Sequence, residues 1–301
     1  MSKLCEGRVV IVTGAGRGIG REHAIMLAQH GAKVVVNDLG GARDGTGTDA
    51  SPADTVVGEI EAAGGEAIAN GNDVSSWDGA QAMIQQAVDR FGRLDALVNN
   101  AGILRDRMLV NMSEAEWDAV IQVHLKGTFA PARHAAAHWR ELSKQTGKPV
   151  DARIINTTSV SGIYGNAGQT NYGAAKAGIA SFTIIAAREL RRYGITVNAV
   201  APAALTRMTE DLGMGQGSDE QKEQMSPRWI APIVTWLASS HSAEVTGRVF
   251  EASGRVLAVA EGWHRGPTHA PIDDPEKIGA VALDLVEQAR KNAGMDGQDL
   301  D

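Results

Sequence analysis

The stretch that decides the fold is VVIVTGAGRGIG, residues 9–20. It begins with a β-branched run typical of a buried strand, continues through a glycine-rich loop spaced Gly-x-x-x-Gly-x-Gly, and leads into a segment with helical spacing. Glycines let the backbone turn tightly and approach a pyrophosphate, which binds the free N–H groups at the start of the helix. The stretch predicts a dinucleotide-binding unit, with expected contacts at Gly14, Arg17, Gly18, Ile19 and Gly20.

Outward from this unit, apolar runs of strand length alternate with helical segments, as in a parallel sheet with crossover helices. The predicted strands cover residues 8–13, 32–37, 66–70, 96–99, 153–157, 196–199 and 248–252. The predicted helices cover residues 18–30, 52–63, 76–91, 113 to the mid-130s, 171–193 and 227–239, and Ser113 with Glu116 has the spacing of a capping box. We expect an α/β fold: a Rossmann-type, doubly wound, parallel seven-stranded sheet with helices on both faces.

Two irregular segments and a C-terminal extension complete the predicted organisation. Residues 40–51 and 203–226 lack periodicity, and the second is the better candidate for a lid. We expect residues 1–262 to form the nucleotide-binding domain and residues 263–301 to form a helical extension. Its amphipathic helix should dock on the body or on a neighbouring subunit through Ile278, Val281, Ala282, Leu285 and Ala289.

Composition bounds the function. The chain has 301 residues, 43% of them hydrophobic, and its 29 basic against 36 acidic residues give a net charge of -7, which argues against nucleic acid as a partner. A single cysteine, Cys5, excludes an internal disulfide. There is no apolar run of signal-peptide or membrane-spanning length, and the chain ends QDLD rather than in a peroxisomal address. We expect a cytoplasmic protein with no membrane partner.

Acidic and amide residues at predicted strand ends extend the cofactor site. Asp38 follows the second strand, 24 positions after Gly14, where a carboxylate accepts hydrogen bonds from the adenosine ribose and repels a 2'-phosphate. NAD is therefore expected rather than NADP, although Arg17 in the phosphate loop points the other way. Further contacts are expected at the ends of the third and fourth strands, from Asp73, Val74, Asn100, Ala101 and Gly102.

A second group of residues carries acid/base chemistry. Ser159 follows the fifth strand, Tyr172 comes thirteen residues later, and Lys176 lies one helical turn beyond Tyr172 on the same helix face. A phenol with a pKa near 10 is a poor base, but a nearby ammonium lowers that pKa. Together with a nicotinamide, these residues predict an oxidoreductase for an alcohol and a ketone.

The chain resembles the short-chain dehydrogenase/reductases over residues 5–262, through TGAGRGIG, NNAG, Ser159 and Tyr172-x-x-x-Lys176. The resemblance implies that Tyr172 exchanges the proton, that Ser159 holds the same oxygen, and that Lys176 binds the nicotinamide ribose. Tyr172 and Lys176 then belong to both the catalytic and the cofactor sets, and no metal is expected. Many relatives carry an Asn where this chain has His124, which leaves open a proton-relay role or a histidine satisfied at a helix kink.

Several segments are similar to one branch, the (3R)-hydroxyacyl-CoA dehydrogenase unit of multifunctional enzyme type 2, which is also a 17-beta-hydroxysteroid dehydrogenase. They are VVVNDLGG, NNAGILRDRML, VHLKGTF, SGIYGNAGQTNYGAAKAG and APAALTRMT. The resemblance implies NAD-dependent oxidation of a 3-hydroxyacyl-CoA or hydroxysteroid (EC 1.1.1) in lipid or steroid degradation, by a homodimer or homotetramer. The alternatives are an NADPH-dependent 3-oxoacyl reductase and a non-catalytic cofactor-binding sensor.

Overall fold

The computed structural model describes residues 3–42, 44–49, 51–205 and 218–300. In these ranges one sheet has the order β3-β2-β1-β4-β5-β6-β7-β8. All neighbouring strands are parallel except the last pair. The strands are β1 (Val9–Thr13), β2 (Lys33–Asn37), β3 (Glu66–Asn70), β4 (Ala96–Asn99), β5 (Ala152–Thr157), β6 (Ile195–Pro202), β7 (Val249–Ala252) and β8 (Leu257–Ala260).

Helices cover both faces of the sheet, as predicted. They are α1 (Gly18–Gln29), α2 (Ser51–Ala62), α3 (Trp77–Phe91), α4 (Glu114–Ile121), α5 (Gly127–Thr146), α6 (Val160–Ile163), α7 (Thr170–Leu190), α8 (Asp219–Gln224), α9 (Ala231–Ala238) and α10 (Pro275–Gln288). Successive side chains of a strand point to opposite faces, so neighbours in β1 belong to different cores. Val10 packs in the core with Leu27 of α1, whereas Ile11 packs in the core with Met83 of α3. Because both faces of the sheet are covered, the sequence of β1 is a nearly continuous run of apolar residues.

β1 and β4 lie side by side in the middle of the sheet and run parallel to each other. The strand order reverses between them. The chain leaves β1 toward β2 and β3 on one side and continues from β4 toward β7 on the other. The two connections diverge at the carboxyl ends of β1 and β4, and this divergence opens a crevice where such sheets bind ligands.

The predicted seven parallel strands are present, and the described residues add an eighth strand to the sheet. β8 pairs with β7 in the antiparallel direction, so that Phe250 lies opposite Val259. Residue 257, the first of β8, is 68% exposed. The apolar run of β8 is only four residues long and follows β7 without a crossover helix, so the alternation of strands and helices that predicted the parallel sheet did not include it.

The fourth predicted helix is longer than expected and contains a wide turn. The capping box at its start is present, since Ser113 Oγ accepts from the Glu116 N–H and Glu116 accepts from the Ser113 N–H. A π-helical turn over Gln122–Lys126 then joins α4 to α5, which ends at Thr146 rather than in the mid-130s. The last turns of α5 are mostly exposed, so an apolar stripe does not mark their end.

The C-terminal extension forms the predicted helix α10, but the helix has no buried residue within its own chain. Leu283 and Val286 are each 74% exposed. Both lie outside the predicted apolar face, of which Val281, Leu285 and Ala289 are half-buried, so docking of that face on the body or on a neighbouring subunit stays a prediction. Most of the predicted lid lies outside the described residues, which end at residue 205 and resume before α8. In the described part of the chain, no helix combines the length and apolar character needed to span a membrane.

Candidate active site

The phosphate loop between β1 and α1 is held in place by close backbone contacts. At Gly14, which has φ +63°, a Cβ would lie 2.8 Å from Ala101 Cα, and at Gly20 it would lie 2.1 Å from the Gly14 carbonyl oxygen. Asn100 Nδ2 donates to the carbonyl oxygens of Thr13 and Gly14, at 3.0 and 3.1 Å. Glycine is therefore required at both positions, and the β4 end braces the loop.

The start of α1 has the properties of an anion site. Arg17 is its N-cap residue but makes no side-chain capping hydrogen bond, so the first N–H groups of the helix are not capped by that side chain. Arg17, Gly18 and Ile19 line the cavity in front of the helix. Free N–H groups at the positive end of a helix dipole suit a pyrophosphate, so these residues fit the dinucleotide that the fold implies.

Asp38 lies at the end of β2 and faces the phosphate loop. Its Oδ2 accepts from the Gly16 N–H at 2.7 Å, and its Oδ1 accepts from the Gly40 N–H at 2.7 Å. Each oxygen retains a lone pair, so the carboxylate is oriented by the backbone and remains able to accept hydrogen bonds from ribose hydroxyls. At Gly16 a Cβ would lie 2.9 Å from Asp38 Oδ2, so the glycine permits this approach.

The ends of β3 and β4 contribute the other predicted cofactor residues. Asp73 Oδ1 accepts from both the N–H and the hydroxyl of Ser75, at 2.8 Å each, which shapes the turn after β3. Thr13 Oγ1 accepts from the N–H groups of Asn100 and Ala101, at 2.9 and 3.1 Å. Asp73 and Val74 line the cavity beside Asn100, Ala101 and Gly102.

The proposed proton-handling residues lie after β5 and on α7. Lys176 Nζ donates to the Thr157 carbonyl oxygen at 2.6 Å and lies 5.5 Å from the centre of the Tyr172 ring. Ser159 caps α6, where its Oγ accepts from the Ser161 N–H at 3.1 Å. The start of α7 is anchored by Asn171, whose Nδ2 donates to the Arg105 carbonyl oxygen at 2.9 Å. Tyr172 and Lys176 thus lie on one face of an anchored helix, beside Ser159.

Burial dominates the electrostatics of this group. It raises the pKa of Tyr172 to about 12, opposed by a hydrogen bond with Ser159 and reinforced by the charge of Asp106. It also lowers the pKa of Lys176 to about 7. The sequence predicted that Lys176 lowers the pKa of the Tyr172 phenol. This prediction is not met, because burial has the larger effect and raises that pKa. The buried lysine holds only part of its positive charge near neutral pH.

His124 belongs to this site and sits in the π-helical turn. It is 2% exposed, and its Nε2 lies 2.7 Å from the carbonyl oxygen and 3.1 Å from the nitrogen of Ile103. Burial, helped by the charge of Lys176, lowers its pKa to about 3. At Gly102 a Cβ would lie 2.4 Å from His124 Cε1, so a glycine there makes room for the ring. His124 is a neutral, tightly packed side chain.

Every predicted site residue lines one cavity of about 390 Å³, from Gly14 and Asp38 to Ser159, Tyr172 and Lys176. Sequence reasoning missed several other lining residues, which are Leu39, Gly41, Ala42, Gly45, Ile103, Leu104, Val160, Gln169 and Met295. Met295 comes from the C-terminal extension, and no local pattern marks it. Gln169 had a signal, since it falls within SGIYGNAGQTNYGAAKAG; its Nε2 donates to Asp106 Oδ2 at 2.8 Å.

Known proteins share this architecture. A family model described as short chain dehydrogenase matches residues 8–216. A hydroxyacyl-CoA dehydrogenase, ChsB1 of Mycobacterium tuberculosis, is 47% identical over 92% of this chain and 88% of its own length. The peroxisomal multifunctional enzyme type 2 of Mus musculus is 44% identical over 86% of this chain, which spans 32% of that longer protein. The resemblance predicted from the motifs is confirmed.

A solved structure agrees with these sequence relatives. The structure of a short chain dehydrogenase from Mycobacterium avium matches with a TM-score of 0.86 and 52% sequence identity, covering 96% of this chain and 98% of the other. The chain therefore belongs to the short chain dehydrogenase family, whose members are oxidoreductases that act on hydroxyl and keto groups with a nicotinamide cofactor.

Proposed function

We propose that the protein is an NAD-dependent dehydrogenase that oxidises a 3-hydroxyacyl-CoA, or a hydroxysteroid, in the degradation of lipids or steroids. One observation carries the proposal: Ser159, Tyr172 and Lys176 line the same cavity as the phosphate loop and Asp38. The identity to a hydroxyacyl-CoA dehydrogenase over most of both chains supports the substrate class. Asp38, oriented toward the loop by two backbone N–H groups, supports NAD.

The residues divide the work of moving a proton and a hydride. The nicotinamide, when bound, accepts or supplies the hydride. During reduction Tyr172 gives its proton to the carbonyl oxygen. During oxidation it takes the alcohol proton as the phenolate, a form that the positive charges of Lys176 and of the oxidised nicotinamide would stabilise. Ser159 donates a hydrogen bond to that same oxygen, where negative charge develops. Lys176 has further N–H donors besides the one bound to Thr157, and these bind the nicotinamide ribose.

The side chains around the proton-handling residues suit an apolar substrate. Ile103, Leu104, Val160 and Met295 line the cavity together with Tyr172. Burying an acyl chain or steroid ring against such groups contributes about 25 cal/mol for each Å² of apolar surface. Their position supports a lipid-derived substrate over a small polar alcohol.

The test is a series of assays with both nucleotides. Oxidation of NADH and of NADPH is measured with acetoacetyl-CoA, longer 3-oxoacyl-CoAs and 17-ketosteroids, for the wild type and for Tyr172→Phe. We expect NADH turnover with the CoA substrates and a loss of about 10²-fold or more in kcat for the variant. A higher kcat/KM with NADPH would instead support the 3-oxoacyl reductase. Tight NADH binding without turnover of any substrate would support the sensor.

We also propose that the protein works in the cytoplasm as a homodimer or homotetramer. Phe129 on α5 is 43% exposed and Ile185 on α7 is 53% exposed, and a second copy would cover such apolar groups. Light scattering coupled to gel filtration measures the assembly. A monomer at micromolar concentration would contradict this part of the proposal.

A further inference from the structure

The irregular segment after β2 forms part of the cavity wall. We define the strap as described residues 39–42 and 44–49. Four of its residues, Leu39, Gly41, Ala42 and Gly45, line the cavity that also contains the phosphate loop and Tyr172. The strap begins next to Asp38, at the expected ribose end of the site, and reaches Ile103, which borders the catalytic end.

Internal hydrogen bonds make the strap a closed loop. The Ala42 N–H donates to the Thr46 carbonyl oxygen at 2.7 Å, and the Asp49 N–H donates to the Leu39 carbonyl oxygen at 3.1 Å. Gly40, with φ +71°, lies so close to the returning chain that a Cβ would meet the Asp49 carbonyl oxygen at 1.6 Å. Residues 44–49 are exposed. A loop that is closed on itself and buries little opens as a unit at a low free-energy cost.

Arg105 joins the strap to the opposite connection of the sheet. Its Nε donates to the Asp44 carbonyl oxygen at 2.9 Å, and its Nη1 lies 3.4 Å from the Ala115 carbonyl oxygen of α4. Beside this contact, Gly45 adopts φ +87°, and a Cβ there would lie 3.2 Å from Ile103 Cδ1 and Cγ2. Arg105 and Ile103 both follow β4, whereas the strap follows β2. The contact therefore bridges the crevice between these two connections.

The backbone of Arg105 is itself fixed to the catalytic helix. Asn171, the residue before Tyr172, donates from Nδ2 to the Arg105 carbonyl oxygen at 2.9 Å. The contact between Arg105 and the strap and the start of α7 thus share one anchoring point. A charged donor on a carbonyl oxygen forms one of the stronger hydrogen bonds in proteins.

We propose that Arg105 is a positioning residue that latches the strap over the bound dinucleotide, so that rupture of this latch sets the rate of cofactor release. The proposal rests on the proposed function, because it assumes that a nicotinamide dinucleotide lies in the cavity. Arg105 acts through the strap and does not need to touch the cofactor. Its loss should accelerate release more strongly than it changes the chemical step.

The first test compares two arginine variants. Arg105→Ala removes the latch, and Arg107→Ala is the matched control, because Arg107 lies two residues away and pairs with Glu116 at 3.0 Å. Stopped-flow displacement of bound NADH measures the release rate. We expect about tenfold faster release from Arg105→Ala, the effect of losing one hydrogen bond to a charged group, and an unchanged rate from Arg107→Ala.

The second test needs neither substrate nor cofactor. Hydrogen exchange at the Gly45 and Asp49 amides, both bonded within the strap, should accelerate in Arg105→Ala and keep its wild-type rate in Arg107→Ala. Gly45→Ala offers a second variant with Arg105 intact, since φ +87° and the contact with Ile103 both disfavour a side chain there. It should also release NADH faster.

The outcomes separate the latch from the proposed function. If the wild type bound NADH and Arg105→Ala released it at the wild-type rate, the latch alone would be overturned. Equal acceleration of release by the two arginine variants would also overturn the latch alone. Parallel measurements with NADPH show whether NAD is the correct cofactor. If neither nucleotide bound the wild type, the proposed function would fail and the latch with it.

Discussion

The imidazole of His124 stands edge-on to the ring of Tyr172, with the ring centroids 5.1 Å apart and the planes at 89°. The two residues come from different helical segments, and His124 is tied to the loop after β4 through Ile103. Since the pKa of His124 is lowered to about 3, the ring is uncharged near neutral pH. The contact therefore positions the phenol by packing rather than by charge.

Replacing His124 should affect both stability and turnover. His124→Ala removes the ring and leaves Ile103 backbone groups without their partner, so we expect a loss of about 2–3 kcal/mol in the free energy of unfolding and about tenfold in kcat. His124→Phe keeps an aromatic ring beside Tyr172 and should retain more of kcat. Urea unfolding and steady-state kinetics measure the two effects. Equal kcat values in the two variants would show that the ring does not position Tyr172.

The buried Lys176 should lower the free energy of unfolding near neutral pH. Its pKa is lowered from 10.5 to about 7, so between these values the unfolded chain binds a proton that the folded chain does not. The penalty is full below pH 7 and is relieved as the pH rises toward 10.5. Lys176→Met should therefore raise the free energy of unfolding at pH 7 by about 1–3 kcal/mol and abolish turnover.

The difference between Lys176→Met and the wild type should shrink as the pH rises from 7 to 10. Lys144→Met is the control, since Lys144 is exposed and pairs only at the surface with Glu141. Urea unfolding at several pH values measures this trend. A Lys176→Met variant less stable than the wild type at pH 7 would mean that the bond to Thr157 outweighs the cost of burial.

Buried histidines should limit stability in acid. Burial lowers the pKa values of His23 and His124 to about 3, against 6.5 in the unfolded chain. Both are neutral in either state above pH 6.5, and stability is lost as the pH falls from 6.5 toward 3, at about 1.4 kcal/mol per pH unit for each group. His23→Leu should reduce this slope by one group, whereas a substitution of the exposed His241 should not. An unchanged slope in His23→Leu would contradict the prediction.

Asp38 should decide between the two nucleotides. Like charges brought together across a binding site repel by several kcal/mol, so Asp38→Ser should reduce the NADH to NADPH ratio of kcat/KM by about 10²-fold. Some affinity for NADH should be lost as well, because Gly16 and Gly40 lose the carboxylate they bind. Asp54→Asn on α2 is the control. If Asp38→Ser kept the wild-type ratio, the selectivity would have to come from elsewhere in the cavity.

Features with a local, repeated pattern were predictable from the sequence. The central parallel strands, among them β1, β2 and β4, are buried on both faces and so appear as apolar runs, and the Ser113 cap depends on residues three apart. The phosphate loop is likewise contained in eight consecutive residues. Each of these is confirmed at the level of the fold, whereas the catalytic roles of Ser159, Tyr172 and Lys176 stay predictions.

Features that depend on distant contacts were not predictable. β8 forms by pairing with the edge strand β7. The strap approaches Ile103 because the fold brings together the connections after β2 and β4. The pKa of Tyr172 shows the same limit. Its spacing to Lys176 indicated a lowered value, but the spacing carries no information on how deeply the pair is buried, and burial reverses the direction.

Met295 lines the cavity from a segment about eighty residues beyond the family match, which ends at residue 216. Part of the cavity wall therefore comes from outside the region that defines the family. Two chains with identical motifs through residue 216 can differ at this wall and admit different substrates. Engineering that aims to change the substrate while leaving the chemistry intact should begin in the C-terminal extension, far in sequence from Ser159, Tyr172 and Lys176, the residues proposed to carry the chemistry.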